Sequence, residues 1–334
     1  MTDDPRLETP DCATQPSSGA LVSVVMATYN RARDLERALT AIADQRTTRP
    51  IECIVVDDAS TDETSEILHR WTASHVLAVR VERRASNGGP AAARNLGWRL
   101  AHGGVVAFTD DDCRPEPGWL DALVEPIAAG AADVTTGRVV PDPDDEIRSL
   151  WVHTFSFDGE LPAFATCNAA YRRSTLESVG GFDESFRAGE DVDLGHRALA
   201  TGARHRHVSG AVVRHARTNL GYLAFLRTRV RWGDSVRAFR RHPQLRASLY
   251  RGLFLRRHHA TTCVDLALIG LSALVSPWGP PIVLVATILI DARRPAPLPG
   301  LGNRLRYAGL NWVRQVVDVA VCVRGAVRAR VLVL

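Results

Sequence analysis

Three consecutive carboxylates follow an apolar segment in the stretch VAFTDDDCRP (106–115). Asp110, Asp111 and Asp112 repel one another, and burying them without partners costs a large desolvation free energy. Two interpretations are open: the aspartates form a solvated acidic turn, or they hold a ligand that is cationic or donates hydrogen bonds. The position of the triplet in the predicted fold bears on this choice.

The elements around the triplet alternate between strands and helices. Short apolar segments rich in Val and Ile predict strands, and apolar residues at i, i+3, i+4 and i+7 predict helices. Ser60 with Glu63 predicts a capping box at the start of one helix. The predicted strands cover 21–26, 51–56, 76–81 and 105–109. This alternation favours an α/β fold with a mostly parallel sheet covered by helices on both faces.

A parallel sheet would bring two acidic groups together. Asp57 and Asp58 follow the second predicted strand, and the triplet follows the fourth. Ligands of open α/β sheets bind at the carboxyl ends of the strands. A nucleotide with a divalent cation would suit these acids, because carboxylates accept hydrogen bonds from base and ribose and also coordinate the cation.

The composition is that of a globular protein, but its charge is divided between the two halves of the chain. Of the 334 residues, 46% are hydrophobic and 23% are charged. Residues 1–199 contain 19 Arg and 33 Asp or Glu, a balance of −14, whereas 200–334 contain 22 Arg and 4 Asp, a balance of +18. The sequence has no lysine, which excludes a GxxxxGK phosphate loop.

Cysteine spacing and the first residues bear on the cellular compartment. The six cysteines are widely spaced with no CxxC pair, which favours a reducing compartment over a disulfide framework or a zinc site. Residues 1–20 are polar and carry acids where a signal peptide would be basic and then apolar. We expect this segment to be a disordered tail.

Five segments resemble the motifs of the family-2 glycosyltransferases in order and approximate spacing. They are SVVMATYNR (23–31), VVDDASTDET (55–64), NGGPAAARNLG (87–97), FTDDDCRP (108–115) and GGFDESFRAGEDVDLGHRA (180–198). The resemblance covers about residues 20–220. It implies a GT-A fold, a nucleotide-sugar donor, a divalent cation (Mn²⁺ or Mg²⁺) and inversion at the anomeric carbon.

The resemblance also implies which residues bind the donor. Ala27 and Tyr29 would flank the nucleobase, with Tyr29 offering a stacking face, and Asp58 would accept a hydrogen bond from the base. Some relatives have a hydroxyl residue at position 27, so the base preference stays open. Glycines would let the backbone approach the ligand closely. The full set implied in nucleotide-sugar binding is Ala27, Tyr29, Arg31, Asp58, Gly88, Gly89, Arg94, Asp110 and Asp111.

The catalytic and metal-binding residues are implied in the same way. Asp191 of the ED motif would be the base that takes the acceptor proton, with Glu190 orienting the acceptor. The alternative for this pair is an acidic helix N-terminus, which the helix dipole favours, and both interpretations can hold at once. Asp110 and Asp112 are the ends of the DxD motif: Asp110 would hold the ribose or the metal, and Asp112 would coordinate the metal. His215 would be a further ligand or a structural histidine.

The second half of the chain predicts contact with a membrane. Residues 266–290 form an uncharged run of 25, longer than the roughly 20 that a spanning helix needs, but prolines 277, 280 and 281 interrupt it. Arginines flank both ends, which favours a re-entrant hairpin or interfacial insertion from the cytoplasmic face over one crossing. A buried helical hairpin, for example at a dimer interface, is the alternative. Residues 232–234 (WGD) would line the acceptor side or belong to an amphipathic helix.

The predicted organisation has five parts. A tail (1–20) precedes a GT-A domain (21–220), a basic helical segment (221–262), an apolar membrane-associated hairpin or kinked span (263–292) and a basic amphipathic tail (293–334). The predicted activity is metal-dependent inverting transfer of a hexosyl or deoxyhexosyl group to a lipid-linked or cell-envelope glycan acceptor. Alternatives are a non-catalytic nucleotide-binding membrane scaffold and a nucleotidyltransferase. Nucleic acid is not an expected partner, because few aromatic residues accompany the arginines.

Overall fold

The structure is a computed structural model that describes residues 21–159 and 164–334. Its strands are β1 Val22–Thr28, β2 Ile51–Asp57, β3 Val79–Arg83, β4 Val105–Asp110, β5 Cys113–Pro115, β6 Val134–Pro141, β7 Trp151–His153, β8 Asn168–Arg172, β9 His205–His215 and β10 Thr218–Leu220. Its helices are α1 Ala32–Ala43, α2 Thr64–Ser74, α3 Pro90–Leu100, α4 Trp119–Ala128, α5 Arg173–Val179, α6 Glu190–Ala200, α7 Tyr222–Val230, α8 Trp232–Arg241, α9 Arg257–Ser272, α10 Gly279–Asp291 and α11 Leu301–Ala329, with a short 3₁₀ helix at Pro243–Ser248. The predicted tail (1–20) lies outside the described residues.

Eight of the strands form one sheet in the order β3-β2-β1-β4-β8-β6-β9-β5. The first four are parallel to one another, β8 pairs antiparallel with both β4 and β6, and β6 and β9 are parallel. β7 and β10 form a separate antiparallel pair. The predicted α/β class with a mostly parallel sheet is confirmed.

Helices cover both faces of this sheet, as the alternating sequence pattern predicts. On one face, α1 buries Leu35, Leu39 and Ile42, the apolar stripe at helical spacing, together with residues of α2 and α4. On the other face, α3, α5 and α6 contribute a second core that includes Trp98 and Leu194. Apolar side chains dominate both clusters, whereas the acidic motif residues lie at the strand ends.

Two local predictions differ from the structure. The third strand begins at Val79 rather than at residue 76. The predicted capping box is absent from α2, which begins at Thr64. The Ser60 hydroxyl instead accepts the backbone N–H of Asn30 at 2.9 Å, and the Asp62 carboxylate accepts the Thr64 N–H at 3.1 Å. The polar residues of this segment therefore join the loops after β1 and β2 instead of capping a helix.

The C-terminal helices form a second body of structure around α11. The C-terminal half of α11 packs against α8 through Cys322, Ala326 and Val236. α9 and α10 form an antiparallel pair that contacts the N-terminal half of α11, where Gln315 meets Thr262 of α9 at 3.0 Å. Among the described residues, no helix is both long and apolar enough to span a bilayer.

Candidate active site

A cleft of about 600 Å³ opens where the carboxyl ends of β1, β2 and β4 meet. It is lined by residues of all five sequence motifs. The lining residues are Ala27, Thr28, Tyr29, Arg31, Asp58, Asn87, Gly89, Pro90, Ala93, Arg94, Asp110, Asp111, Asp112, Arg187 and Arg231. The structure thus brings together eight of the nine predicted donor-binding residues, and Gly88 is adjacent to the cleft through its bond to Asp58.

Asp58 fixes the glycine-rich loop at the start of α3. Its two carboxylate oxygens accept the backbone N–H groups of Gly88 at 3.0 Å and Gly89 at 2.8 Å. Gly89 has a φ of +88°, in the region that favours glycine, and it precedes Pro90 at the first turn of α3. The N-terminus of α3 therefore faces the cleft, where its free N–H groups suit an anionic ligand.

The loop after β1 presents an aromatic ring to the cleft. Tyr29 is 46% exposed, and the cleft contains both Tyr29 and Ala27. The neighbouring Asn30 adopts a left-handed conformation with φ +53° and accepts the Thr61 N–H at 2.7 Å. Because a hydrogen bond ties this loop to the loop after β2, the backbone near Tyr29 is held in place, and the exposed ring is accessible for stacking.

Arg94 is buried between the two acidic motifs. One of its guanidinium nitrogens lies 2.6 Å from Asp110, at the end of β4, and another lies 2.9 Å from Glu190, at the start of α6. Its side chain is only 7% exposed. Burial opposes the charged guanidinium, yet the two carboxylates hold its pKa above the ordinary value. Arg94 therefore acts as the electrostatic link between the DxD and ED segments.

Glu190 and Asp191 differ in their electrostatic surroundings. Glu190 is paired with Arg94, whereas the Asp191 side chain accepts a hydrogen bond from the Val192 N–H at 2.8 Å. Burial and the adjacent negative charge of Glu190 raise the pKa of Asp191 to about 7. A carboxylate with a pKa near neutrality is matched to general-base chemistry, whereas Glu190 is held in a salt bridge.

The aspartate triplet is divided among different partners. Asp110 pairs with Arg94, and Asp112 forms a short salt bridge with Arg31. Asp111 lies 3.7 Å from the Arg31 guanidinium, and burial raises its pKa to about 8. The triplet is therefore not a solvated turn: its second and third members are both 7% exposed and rely on cationic neighbours.

The predicted metal ligands Asp112 and His215 are brought together by strand pairing. Cys113 of β5 is opposite His215 of β9, which places the His215 Nε2 3.7 Å from an Asp112 oxygen. The Nδ1 of His215 lies 3.0 Å from the Ala216 carbonyl, which only accepts, so Nδ1 carries the proton and Nε2 faces Asp112. These donors suit a divalent cation.

Asp110 and Cys113 are less suited to bind a cation here than Asp112 and His215. The compact donor group contains Asp112, Cys113 and His215 but not Asp110, which is engaged by Arg94. Burial raises the pKa of the Cys113 thiol well above its ordinary value, which keeps the sulfur protonated and a poor ligand. The pair that fits a cation is therefore Asp112 with His215, while Asp110 is paired with Arg94.

Two arginines of the cleft were not predicted from the sequence. Arg187 stands three residues before Glu190, and its guanidinium reaches the Gly88 carbonyl at 3.0 Å. Arg231 precedes Trp232 between α7 and α8. Arg187 lies within a motif that the sequence analysis quoted, so its charge beside the ED acids was a usable signal. Arg231 comes from outside the predicted domain, and only tertiary structure places it here.

Two family models match the sequence of this chain. The model for glycosyl transferase family 2 matches residues 23–183, and the model for glycosyl transferase family group 2 matches 105–290, more than half of the chain. The chain belongs to glycosyltransferase family 2. The motif segments and the cleft that they line fall within the matched region.

Curated relatives resemble part of the chain. Pre-mycofactocin glycosyltransferase of Mycobacterium tuberculosis is 31% identical over 207 residues, which cover 58% of this chain and 42% of that protein. Validoxylamine A glucosyltransferase of Streptomyces hygroscopicus is 29% identical over 284 residues, which cover 70% of this chain and 65% of that protein. The chain spans about two fifths of the length of the mycobacterial relative.

Solved structures share the fold over nearly the whole chain. A mannosyltransferase from Pyrobaculum calidifontis, in complex with GDP-Man and Mn²⁺, aligns with a TM-score of 0.56 at 24% identity, covering 97% of this chain and 91% of that one. Staphylococcus aureus TarS 1-349, in complex with UDP-GlcNAc, aligns with a TM-score of 0.52 at 18% identity, covering 93% and 92%. The predicted GT-A fold is confirmed by these neighbours.

The position of Arg94 predicts a large effect of its removal. Arg94→Ala would leave the buried Glu190 and its neighbours without a countercharge, and we expect the free energy of unfolding to fall by about 3–5 kcal/mol. Arg99→Ala, on the same helix but with a side chain that is 52% exposed, is the matched control and should cost below about 1 kcal/mol. Urea denaturation measures both, and equal effects would contradict the role given to Arg94.

Proposed function

We propose that this chain is a metal-dependent inverting glycosyltransferase that moves a hexosyl or deoxyhexosyl group from a nucleoside-diphosphate sugar to a lipid-linked or cell-envelope glycan. The observation that carries the proposal is the contrast within the ED pair. Glu190 is paired with Arg94, which lines a cleft of nucleotide size, whereas burial and the charge of Glu190 raise the pKa of Asp191 to about 7. The solved neighbours with GDP-Man and UDP-GlcNAc agree with this class of donor.

The proposed reaction is a single displacement. An acceptor hydroxyl oxygen forms a bond to the anomeric carbon while the bond from that carbon to the diphosphate oxygen breaks. The acceptor proton passes to the Asp191 carboxylate, and the nucleoside diphosphate leaves with the bonding electron pair. One base and one displacement invert the configuration at the anomeric carbon.

The remaining cleft residues would bind the donor. Tyr29 would stack on the base, and the N-terminus of α3 would face the diphosphate with its free N–H groups. Asp112 and His215, joined by Asp110, would hold Mn²⁺ or Mg²⁺, which when bound neutralises charge on the diphosphate. Asp58 already accepts two backbone hydrogen bonds, so a bond from the base would use a remaining lone pair of its carboxylate.

Glycosyl transfer explains the site better than either of the two alternative functions does. A non-catalytic scaffold would have no need of a carboxylate that has no salt bridge and a pKa near neutrality, next to the Glu190–Arg94 pair. A nucleotidyltransferase would release pyrophosphate, and it would not need a base that serves an acceptor hydroxyl. The products of the reaction therefore separate the three functions.

We predict nucleoside diphosphate release that depends on both metal and Asp191. Purified protein in detergent is incubated with a panel of nucleoside-diphosphate sugars, with Mn²⁺ or with chelator, and the released nucleotide is measured. One donor should give release that chelator abolishes and that Asp191→Asn lowers at least a hundredfold, since general-base catalysis contributes 10²–10⁴. Glu66→Gln, an exposed acid on α2, is the control. Pyrophosphate release, or full activity in Asp191→Asn, would contradict the proposal.

Association with the cytoplasmic face of a membrane is a second part of the proposal. The turn between α9 and α10 exposes large apolar side chains: Leu274 is 82%, Val275 88% and Trp278 73% exposed. α10 has 13 residues and is therefore about 20 Å long, which suits insertion into one leaflet rather than a crossing. The flanking Arg256, Arg257, Arg293 and Arg294 favour the anionic face.

We predict that the protein binds lipid vesicles through the apolar turn and that carboxylates introduced into this turn abolish the binding. In flotation with anionic lipid vesicles, the wild-type protein should float, whereas Leu274→Asp combined with Trp278→Asp should remain in the soluble fraction, because carboxylates resist entry into hydrocarbon. Val76→Asp places one carboxylate on an exposed apolar residue of the catalytic domain, and this control should float like the wild type. Flotation of the double variant would contradict the membrane assignment.

A further inference from the structure

A second cleft, of about 240 Å³, adjoins the nucleotide cleft and is lined mainly by arginines. Arg187 and Arg231 line both clefts, whereas Arg237, Arg324 and Arg328 line only the second. The one acid among its lining residues is Asp234. We refer to this space as the arginine cleft.

The arginine cleft has a rigid frame. It forms where α8 crosses α11, and the crossing is very close because Gly233 and Gly325 face each other. A Cβ added at Gly325 would collide with the Gly233 carbonyl oxygen. Gly233 likewise faces the Val321 carbonyl, 3.1 Å from where its own Cβ would be. The spacing of the two helices, and hence of the arginines that they carry, is therefore fixed by backbone contact.

The charges in this cleft lack compensation. Among the described residues, Arg231, Arg324 and Arg328 have no carboxylate within salt-bridge distance, whereas most arginines of the catalytic domain are paired. Arg324 and Arg328 are separated by one helical turn on α11, a spacing at which like charges repel and destabilise a helix. Such an arrangement costs stability in the free protein, and a polyanion would relieve the cost.

Arg237 shows how the cleft orients a guanidinium. Its side chain donates to the Ser185 carbonyl at 2.9 Å and lies 4.4 Å above the Phe186 ring. These contacts hold the group in place without neutralising it. A held guanidinium loses little entropy on binding phosphate oxygens.

We infer that the arginine cleft binds a phosphate or diphosphate group of the acceptor. Five guanidinium groups against one carboxylate leave a balance of +4, which a single carboxylate or a neutral glycan would not compensate. The cleft continues the nucleotide cleft through Arg187 and Arg231, so a group held there lies next to the donor. The inference rests on the proposed transferase function and specifies the chemistry of its acceptor.

α11 connects this cleft to the apolar hairpin. Gln315 contacts the hairpin, and Arg324 lies nine residues further along the same helix, roughly 14 Å along its axis. One rigid helix therefore carries both the phosphate-binding side chains and the contact to the hairpin. This arrangement favours an acceptor phosphate attached to a lipid over a soluble phosphorylated acceptor.

The test measures binding by calorimetry in detergent with the nucleotide cleft saturated by nucleoside diphosphate and Mn²⁺. The probes are a short-chain prenyl phosphate, the corresponding prenol and a soluble sugar phosphate. The variant is Arg324→Gln with Arg328→Gln, which leaves the nucleotide cleft intact. The matched control is Arg304→Gln with Arg306→Gln, two exposed arginines on the same helix outside the cleft.

The inference predicts that prenyl phosphate binds the wild type and the control alike and binds the cleft variant at least roughly tenfold more weakly. If the sugar phosphate binds equally well with the same dependence on the variant, the acceptor is a soluble phosphate; if only the prenyl phosphate does, it is lipid-linked. Equal affinity for prenol and prenyl phosphate, or equal affinities in both double variants, would overturn the inference. So would lost vesicle flotation of the cleft variant with unchanged prenyl phosphate binding, since the arginines would then serve the membrane surface.

Nucleoside diphosphate binding by the same proteins separates failure of this inference from failure of the proposed function. The cleft variant should bind nucleoside diphosphate with Mn²⁺ as the wild type does. If the wild type itself bound no nucleotide, the transferase proposal would fail. If nucleotide bound normally and the cleft substitutions left the affinity for prenyl phosphate unchanged, only the acceptor assignment would fail.

Discussion

The salt bridges of Arg94 are the constraint on which the rest of this site depends. Three sequence segments meet at this one side chain: helix α3 that carries it, the end of β4 with Asp110 and the start of α6 with Glu190. A buried guanidinium is tolerated because both carboxylates compensate it, and each carboxylate is tolerated because the guanidinium is there. Removal of any partner leaves an uncompensated charge in the core of the site.

This arrangement also determines which acid is free to react. Arg94 forms salt bridges with Asp110 and Glu190, whereas among the described residues no cation lies within salt-bridge distance of Asp191. Burial and the adjacent negative charge of Glu190 raise the pKa of Asp191 to about 7. The salt bridge of Arg94 with Glu190 therefore gives two adjacent acids different properties: Glu190 is structural, and Asp191 is suited to proton transfer.

The sequence predicts those site residues that lie at the ends of strands. Short apolar segments rich in Val and Ile predict β1, β2 and β4, and parallel pairing then places Asp58 and the aspartate triplet at one edge. The motif at 180–198 adds Asp191, and the family resemblance adds His215. The sequence does not reveal that Arg31 and Arg94 compensate the acids, since any of 41 arginines could do so.

The residues that sequence reasoning missed are those that depend on the packing of distant segments. Arg231 reaches the cleft because α7 and α8 fold back on the catalytic domain, and the arginine cleft exists because two glycines, about 90 residues apart, meet at a helix crossing. No local sequence pattern predicts either contact. The Ser60 prediction failed for a related reason: its hydroxyl had a better partner in Asn30, on another loop.

The pH dependence of kcat/KM for donor turnover, compared between wild type and Glu190→Gln, tests the central claim most directly. A base with a raised pKa is active only when deprotonated, so the wild-type rate should fall as the pH drops through about 7. Removing the neighbouring negative charge should lower the pKa of Asp191 and move the inflection to lower pH. A rate that stays constant between about pH 5 and 8, or an inflection that Glu190→Gln leaves in place, would contradict the assignment of Asp191 as the free base.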